Sequence, residues 1–179
     1  MNSKIAITNA KIITMEGKDY EQGTLLFAEG KILALGESIE APAEFSVLEA
    51  EGRYLLPGLI DAHTHVGIVE EIYQQEGDDL NEFTNPLTPE LRALDGINPV
   101  DPAFKDALSG GVTGVMIAPG SANVLGGMTT FLKTCSGNLK EKTVIAESGL
   151  KAAFGENPKR VYAEQKKMPR ISSRPIMNR

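Results

Sequence analysis

Tryptophan is absent from the 179 residues, aromatic side chains make up only 6% of them, and there is one cysteine, Cys135. A core without large rings must rest on Ile, Leu, Val and Ala. A single thiol excludes an internal disulfide and fits a reducing cytoplasm. A buried, structural Cys135 is the expectation, since no histidine-rich setting would activate it. No apolar run approaches the length of a membrane span, so no membrane partner is expected. The N-terminus, MNSKIAITNAKII, lacks the long apolar core and cleavage site of a secretory signal. Basic residues are fewer than acidic ones, 18 against 24, for a net charge of -6. That balance argues against a nucleic-acid partner, which favours a basic patch. Histidine is scarcer still: His63 and His65 are the only two.

What remains is a globular composition, 41% apolar and 23% charged. Residues 1–57 read as short strands. KIAITNAKIIT is apolar and β-branched, with a bend near Asn9. GTLLFAEGKILALGE has two apolar runs about Glu29-Gly30, a hairpin signal. FSVLEAEGRYLLPG repeats the plan about Glu51-Gly52. These units predict a small antiparallel sheet or sandwich. Pro57-Gly58 then punctuates the chain.

LIDAHTHVGI starts apolar without alternation, as in a strand covered on both faces. About thirty acidic, polar and proline-bearing residues follow, Glu70 to Pro99; loops of that length are usually functional or disordered. Asp101 and Pro102 suit the N-cap and first position of a helix carrying Phe104, Ala107 and Leu108 on one face. Gly110-Gly111 ends it, and VTGVMIAPG makes a second buried strand. Strand, helix, strand implies a βαβ unit and a parallel sheet. TTFLKTC and KTVIAES are further strand candidates, and LKAAFGENPKRVYAEQ has room for a short helix. Residues 163–179 end in a basic, aperiodic stretch with the composition of a disordered tail.

On a strand, residues two apart share a face, so His63 and His65 project together. Two neighbouring imidazoles can share one metal ion. Asp61, two residues earlier, is placed to accept from a histidine N–H or to ligate directly. The pair stands at the end of the first parallel strand, and that end of the strands carries the active site in parallel α/β folds. The glycines of APGSANVLGG, Ala118 to Gly127, follow the second strand and allow either a tight loop or close approach to a ligand; the P-loop pattern is missing.

LLPGLIDAHTHV resembles the first barrel strand of the metal-dependent amidohydrolase superfamily, with its PG-x-x-D-x-H-x-H string. TNPLTPELRALDGINP, GVTGVMIAPGSANVLGG and KAAFGENPKR resemble its imidazolonepropionase-like branch. The resemblance spans roughly residues 3 to 162. It implies an α/β fold: N-terminal β-sandwich strands, then the first part of a (β/α)8 barrel. It implies one or two divalent metal ions, commonly zinc, held at the barrel mouth by His63 and His65. A carboxylated lysine or a glutamate would bridge them, with Glu156, Glu147 and Lys151 as candidates. Further histidines and an aspartate would come from later strands. The implied reaction is hydrolysis of an amide or cyclic amide C–N bond in a small-molecule substrate.

Length departs from that pattern. A (β/α)8 barrel usually takes about 250 residues, and roughly 120 follow Pro57. The expected organisation is a β-rich segment at 1–57, a partial barrel at 58–162 and the tail at 163–179. The simplest reading is an inactive N-terminal fragment that binds metal at most, with an open edge that a second copy or the missing C-terminal half would cover.

Overall fold

The computed structural model describes residues 4–165. The chain divides into two compact units, Met1–Pro57 and Gly58–Arg179.

The first unit is one mixed sheet in the order β3-β2-β1-β4, with β5 also beside β1. Its strands are β1 (Ile5–Ile12), β2 (Tyr20–Ala28), β3 (Lys31–Gly36), β4 (Ser46–Glu49) and β5 (Tyr54–Leu55). The expected hairpin at Glu29-Gly30 is present: φ values of 53° and 74° give the two left-handed residues of a type I′ turn. The second expected reversal is not. β4 and β5 both run parallel to β1. Glu51 and Gly52, again left-handed, make a step that lies opposite the left-handed Asn9 of β1, and Gly52 N–H donates to the Asn9 carbonyl at 2.8 Å. Two irregularities side by side let the chain continue along β1 where a hairpin would have turned back.

The second unit holds a sheet in the order β6-β7-β8-β9: β6 (Leu59–Thr64), β7 (Val112–Ile117), β8 (Leu125–Lys133) and β9 (Thr143–Ala152). β6 and β7 pair in parallel, joined by α1 (Pro102–Ser109). The helix begins as its sequence dictates: Asp101 accepts from Ala103 N–H at 2.9 Å, with Pro102 next. Only Phe104 of its apolar stripe is buried; Ala107 is half-buried and Leu108 exposed. Phe104 packs with Ile68, Ala93, Ile97, Val115, Ile117 and Leu132 into the core of this unit.

The all-parallel expectation fails at β8, which is antiparallel to both neighbours. Seven residues join Ile117 to Leu125, too few for a crossover that returns the chain to its starting end. β6 is also not covered on both faces: Leu59 and Ile60 are exposed, and among the described residues the strand pairs only with β7.

The long connection is ordered over Glu70 to Pro99 by specific contacts. Asn98 Nδ2 donates to Glu70 Oε2 at 2.7 Å, and Glu71 N–H to Asp101 Oδ2 at 3.0 Å. A 3₁₀ turn at Ala93–Gly96 supplies the core residue Ala93, and Ile97 follows it into the same core. The described residues end in Glu156–Pro158 and the π-helical Lys159–Gln165. Ala163, Glu164 and Gln165 therefore belong to a helical turn; the rest of the expected tail, 166–179, lies outside the described residues.

Cys135 is exposed, against the expectation of a buried thiol, because it falls in the turn after β8 and not on the strand. Its carbonyl accepts from Lys142 Nζ at 2.6 Å. That ammonium is buried and stands 4.2 Å from the centre of the Phe104 ring. Desolvation lowers the Lys142 pKa, partly countered by the nearby Cys135 thiol. The folded chain therefore sheds this proton at a pH where the unfolded chain, with a value of about 10.4, still holds it. Stability should rise with pH between those two values, and the penalty is fully present below the folded one. Denaturant midpoints across that alkaline range should show a steeper rise for the wild type than for Lys142→Met. The comparison matters because Tyr162, whose pKa burial raises, acts in the opposite sense. Equal slopes would contradict the assignment.

Candidate functional site: a histidine pair and a lysine at one end of the sheet

β6 delivers His63 and His65 at its C-terminal end, and β9 delivers Lys151 to the same place. The two imidazole centroids lie 5.4 Å apart with ring planes at 79°. His65 Nδ1 donates to the Ala118 carbonyl at 2.8 Å. That bond fixes the tautomer and leaves Nε2 as the lone-pair nitrogen, the arrangement common in metal-ligating histidines. Lys151 Nζ lies 3.3 Å from His63 Nε2. A lysine N–H there donates into the imidazole lone pair.

The electrostatics agree. The His63 pKa is lowered, first by the Lys151 charge, then by burial and by His65, with Asp61 opposing. The shift favours the neutral ring, the form that a metal ligand needs. Burial lowers the Lys151 pKa, so this ammonium gives up its proton more readily than a solvated one. Asp61 spends one carboxylate oxygen on the backbone N–H of His63, at 3.0 Å, and so braces the strand end. His63 and Lys151 open on a groove of about 630 Å³ along one face of the sheet, lined also by Met116, Phe131, Ile145 and Ser148.

Of the proposed ligands, the structure brings His63 and His65 together. Glu147 instead stands 3.8 Å from Arg92, and Glu156 pairs with Lys159 at 3.2 Å. No group of three or more His, Cys, Asp or Glu side chains is gathered among the described residues. The donor set fits one end of a metal site: two imidazoles with one tautomer already fixed, faced by an amine. Lys151 was legible only as one candidate of three, because a ten-residue strand with irregular pairing to β8 hides which residue reaches the mouth.

The glycine-rich segment after β7 acts as a packed brace. Asn81 Oδ1 accepts the Ala122 N–H at 3.0 Å, and Asn123 Nδ2 donates to Thr88 Oγ1 at 2.8 Å. The Tyr162 hydroxyl donates to Asn123 Oδ1 at 2.5 Å. This tethered segment begins with Ala118, whose carbonyl orients His65.

No protein-family model matches the chain. The amidohydrolase tasK of Hapsidospora irregularis is 34% identical over 160 residues, 83% of this chain and 16% of that protein. An imidazolonepropionase of Sphingopyxis alaskensis is 41% identical over 63 residues, 33% of this chain and 16% of that protein. The crystal structure of an amidohydrolase from Thermotoga maritima superposes with a TM-score of 0.88 at 42% identity, covering 97% of this chain and 45% of the other. The chain thus spans less than half the length of each of these relatives. Among the described residues, no helix is long and apolar enough to cross a membrane.

Proposed function

We infer, because the chain belongs to the amidohydrolase superfamily, that β6 is the first metal-holding strand of a hydrolase acting on amide or cyclic amide C–N bonds of small molecules. The observation that carries this reading is the His63–His65 pair at the C-terminal end of β6, with Lys151 3.3 Å from His63 Nε2. A divalent ion bound there, zinc by family resemblance, would polarise the scissile carbonyl and lower the pKa of a water.

The chain's own residues do the holding and orienting. His63 and His65 offer ring nitrogens, Ala118 sets the His65 ring, and Asp61 braces the backbone at His63. Lys151 takes the bridging position in preference to Glu147 and Glu156. Its amine, eased toward neutrality by burial, can add carbon dioxide and release a proton to become an anionic oxygen ligand.

Alone, this chain binds metal without turning substrate over. Activity in the family's manner also needs donors and a proton acceptor that the described residues do not gather. One assay tests both parts: the purified chain, supplied with zinc, is offered a cyclic amide and followed for ring opening. The expected result is stoichiometric metal and no turnover above the buffer rate. Turnover that depends on zinc would refute the inactive reading. A protein that retains no metal would refute the site.

A further inference from the structure

His65 is held from two sides, and both holders hang on the same three residues of the long connection. Its backbone carbonyl accepts the Ile68 and Val69 N–H groups, each at 3.1 Å. Its ring Nδ1 donates to the Ala118 carbonyl at 2.8 Å. Asp79 N–H donates to the Ile68 carbonyl at 2.9 Å, which pins the turn that follows His65. The Leu80 carbonyl accepts from Gly120 N–H at 2.8 Å, and Asn81 Oδ1 accepts from Ala122 N–H at 3.0 Å. Asp79, Leu80 and Asn81 thus clasp the histidine's own turn together with the segment that supplies its ring acceptor.

Burial gives these bonds their weight. Gly120 and Ala122 are buried, so an N–H group released there has no water to turn to. Ala118 N–H is already tied to the Thr64 carbonyl at 3.0 Å. What is left to fix is the peptide after Ala118, whose oxygen faces the imidazole. Only Pro119 separates that peptide from Gly120, and its ring locks one backbone torsion. The Ala118 carbonyl therefore moves with Gly120. Gly120 is also the point of close approach, because an added Cβ would overlap the Asn81 carboxamide. That obstacle is the end of a side chain and can swing away, at the cost of its bond to Ala122.

We propose that Asn81 is a positioning residue for His65. By clasping the segment after β7 to the long connection, it keeps the Ala118 carbonyl aimed at Nδ1. The ring is then held in the one tautomer whose Nε2 carries the lone pair. The long connection thereby sets the geometry of the site through the backbone that it clasps. The consequence for metal binding rests on the function proposed above; the tautomer itself does not.

The chain has two histidines, so nitrogen-15 histidine labelling gives a spectrum of two rings. Two-bond nitrogen–proton correlations of the full chain in chelator, at about pH 9 where an ordinary imidazole is neutral, report which ring nitrogen bears the proton. His65 should be protonated at Nδ1 alone in the wild type and in Asn81→Asp, which keeps an acceptor oxygen at the same reach. Asn81→Ala and Gly120→Ala should each populate both tautomers. Gly120→Ala should add nothing once Asn81→Ala has removed the obstacle. Zinc affinity should fall about tenfold in Asn81→Ala and recover in Asn81→Asp. Should the alanine variants fail to fold, the wild type decides: below its unfolding transition in urea, the single His65 tautomer and the protection of the Ala122 amide should be lost together. A lone Nδ1 tautomer in both alanine variants, an Asn81→Asp that behaves as alanine, or separate loss of the two wild-type signals would overturn the proposal. A wild type that binds no zinc overturns the metal reading instead, and the tautomer comparison still decides this one.

Discussion

Replacing Phe104 with alanine should lower the folding stability of the second unit by about 3–5 kcal/mol. The ring is 2% exposed and does more than fill volume. Its Cε2 lies 3.0 Å from where a Cβ on Gly67 would stand, and Gly67 is the left-handed residue (φ 78°) that turns the chain after His65. On its other side the ring faces the Lys142 ammonium at 4.2 Å. Truncation therefore opens a cavity, loosens the turn beside the histidine pair and strips a buried cation of its aromatic partner. Urea unfolding of the wild type and Phe104→Ala measures the loss. A difference under about 1 kcal/mol would mean that this core is not the one that holds α1 to the sheet.

Gly127→Ala should be comparably damaging for a different reason. Gly127 has φ 113°, outside the range open to alanine, and a Cβ there would stand 2.6 Å from the Leu91 carbonyl oxygen. The obstacle is backbone, so no rotamer change relieves it. That same carbonyl accepts from Met128 N–H at 2.7 Å, the bond that docks the long connection onto β8. Alanine must add strain of about 1–3 kcal/mol and also break this bond. Gly30→Ala is the control. Its φ is 74° with no atom within 4 Å of the new Cβ, so it should show only the left-handed penalty of about 1–2 kcal/mol. Equal costs measured by thermal unfolding would contradict the close approach at Gly127.

Where local chemistry decides, the sequence was readable. Asp101-Pro102 start a helix and Gly110-Gly111 end it, because capping is settled within one turn. Glu29-Gly30 make a hairpin because two left-handed residues suit few other turns. Glu51-Gly52 carry the same signal and do not make one. Their outcome depends on Asn9, forty-two residues earlier, being bulged opposite them; a local pattern has no access to that pairing. The reversal of β8 is a matter of loop length against crossover length, legible only once both strand ends are placed.

The site divides in the same way. Alternation along β6 is enough to put His63 and His65 on one face. Selecting Lys151 from among three candidates is not a local matter, because β9 reaches the mouth through irregular pairing with β8. The exposure of β6 was hidden for a further reason: an apolar run reports that a strand wants neighbours on both sides, and says nothing of whether those neighbours lie within the same chain.

His63 and His65 are proposed to hold a metal ion. Zinc titration by calorimetry, comparing the wild type with His63→Ala and His65→Ala, tests it most directly, with circular dichroism confirming that each variant is folded. The wild type should bind saturably, and each variant should lose affinity by about tenfold or more. Lys151→Ala should retain the binding carried by the two imidazoles. Wild-type binding that survives both histidine substitutions, or no binding at all, would contradict it.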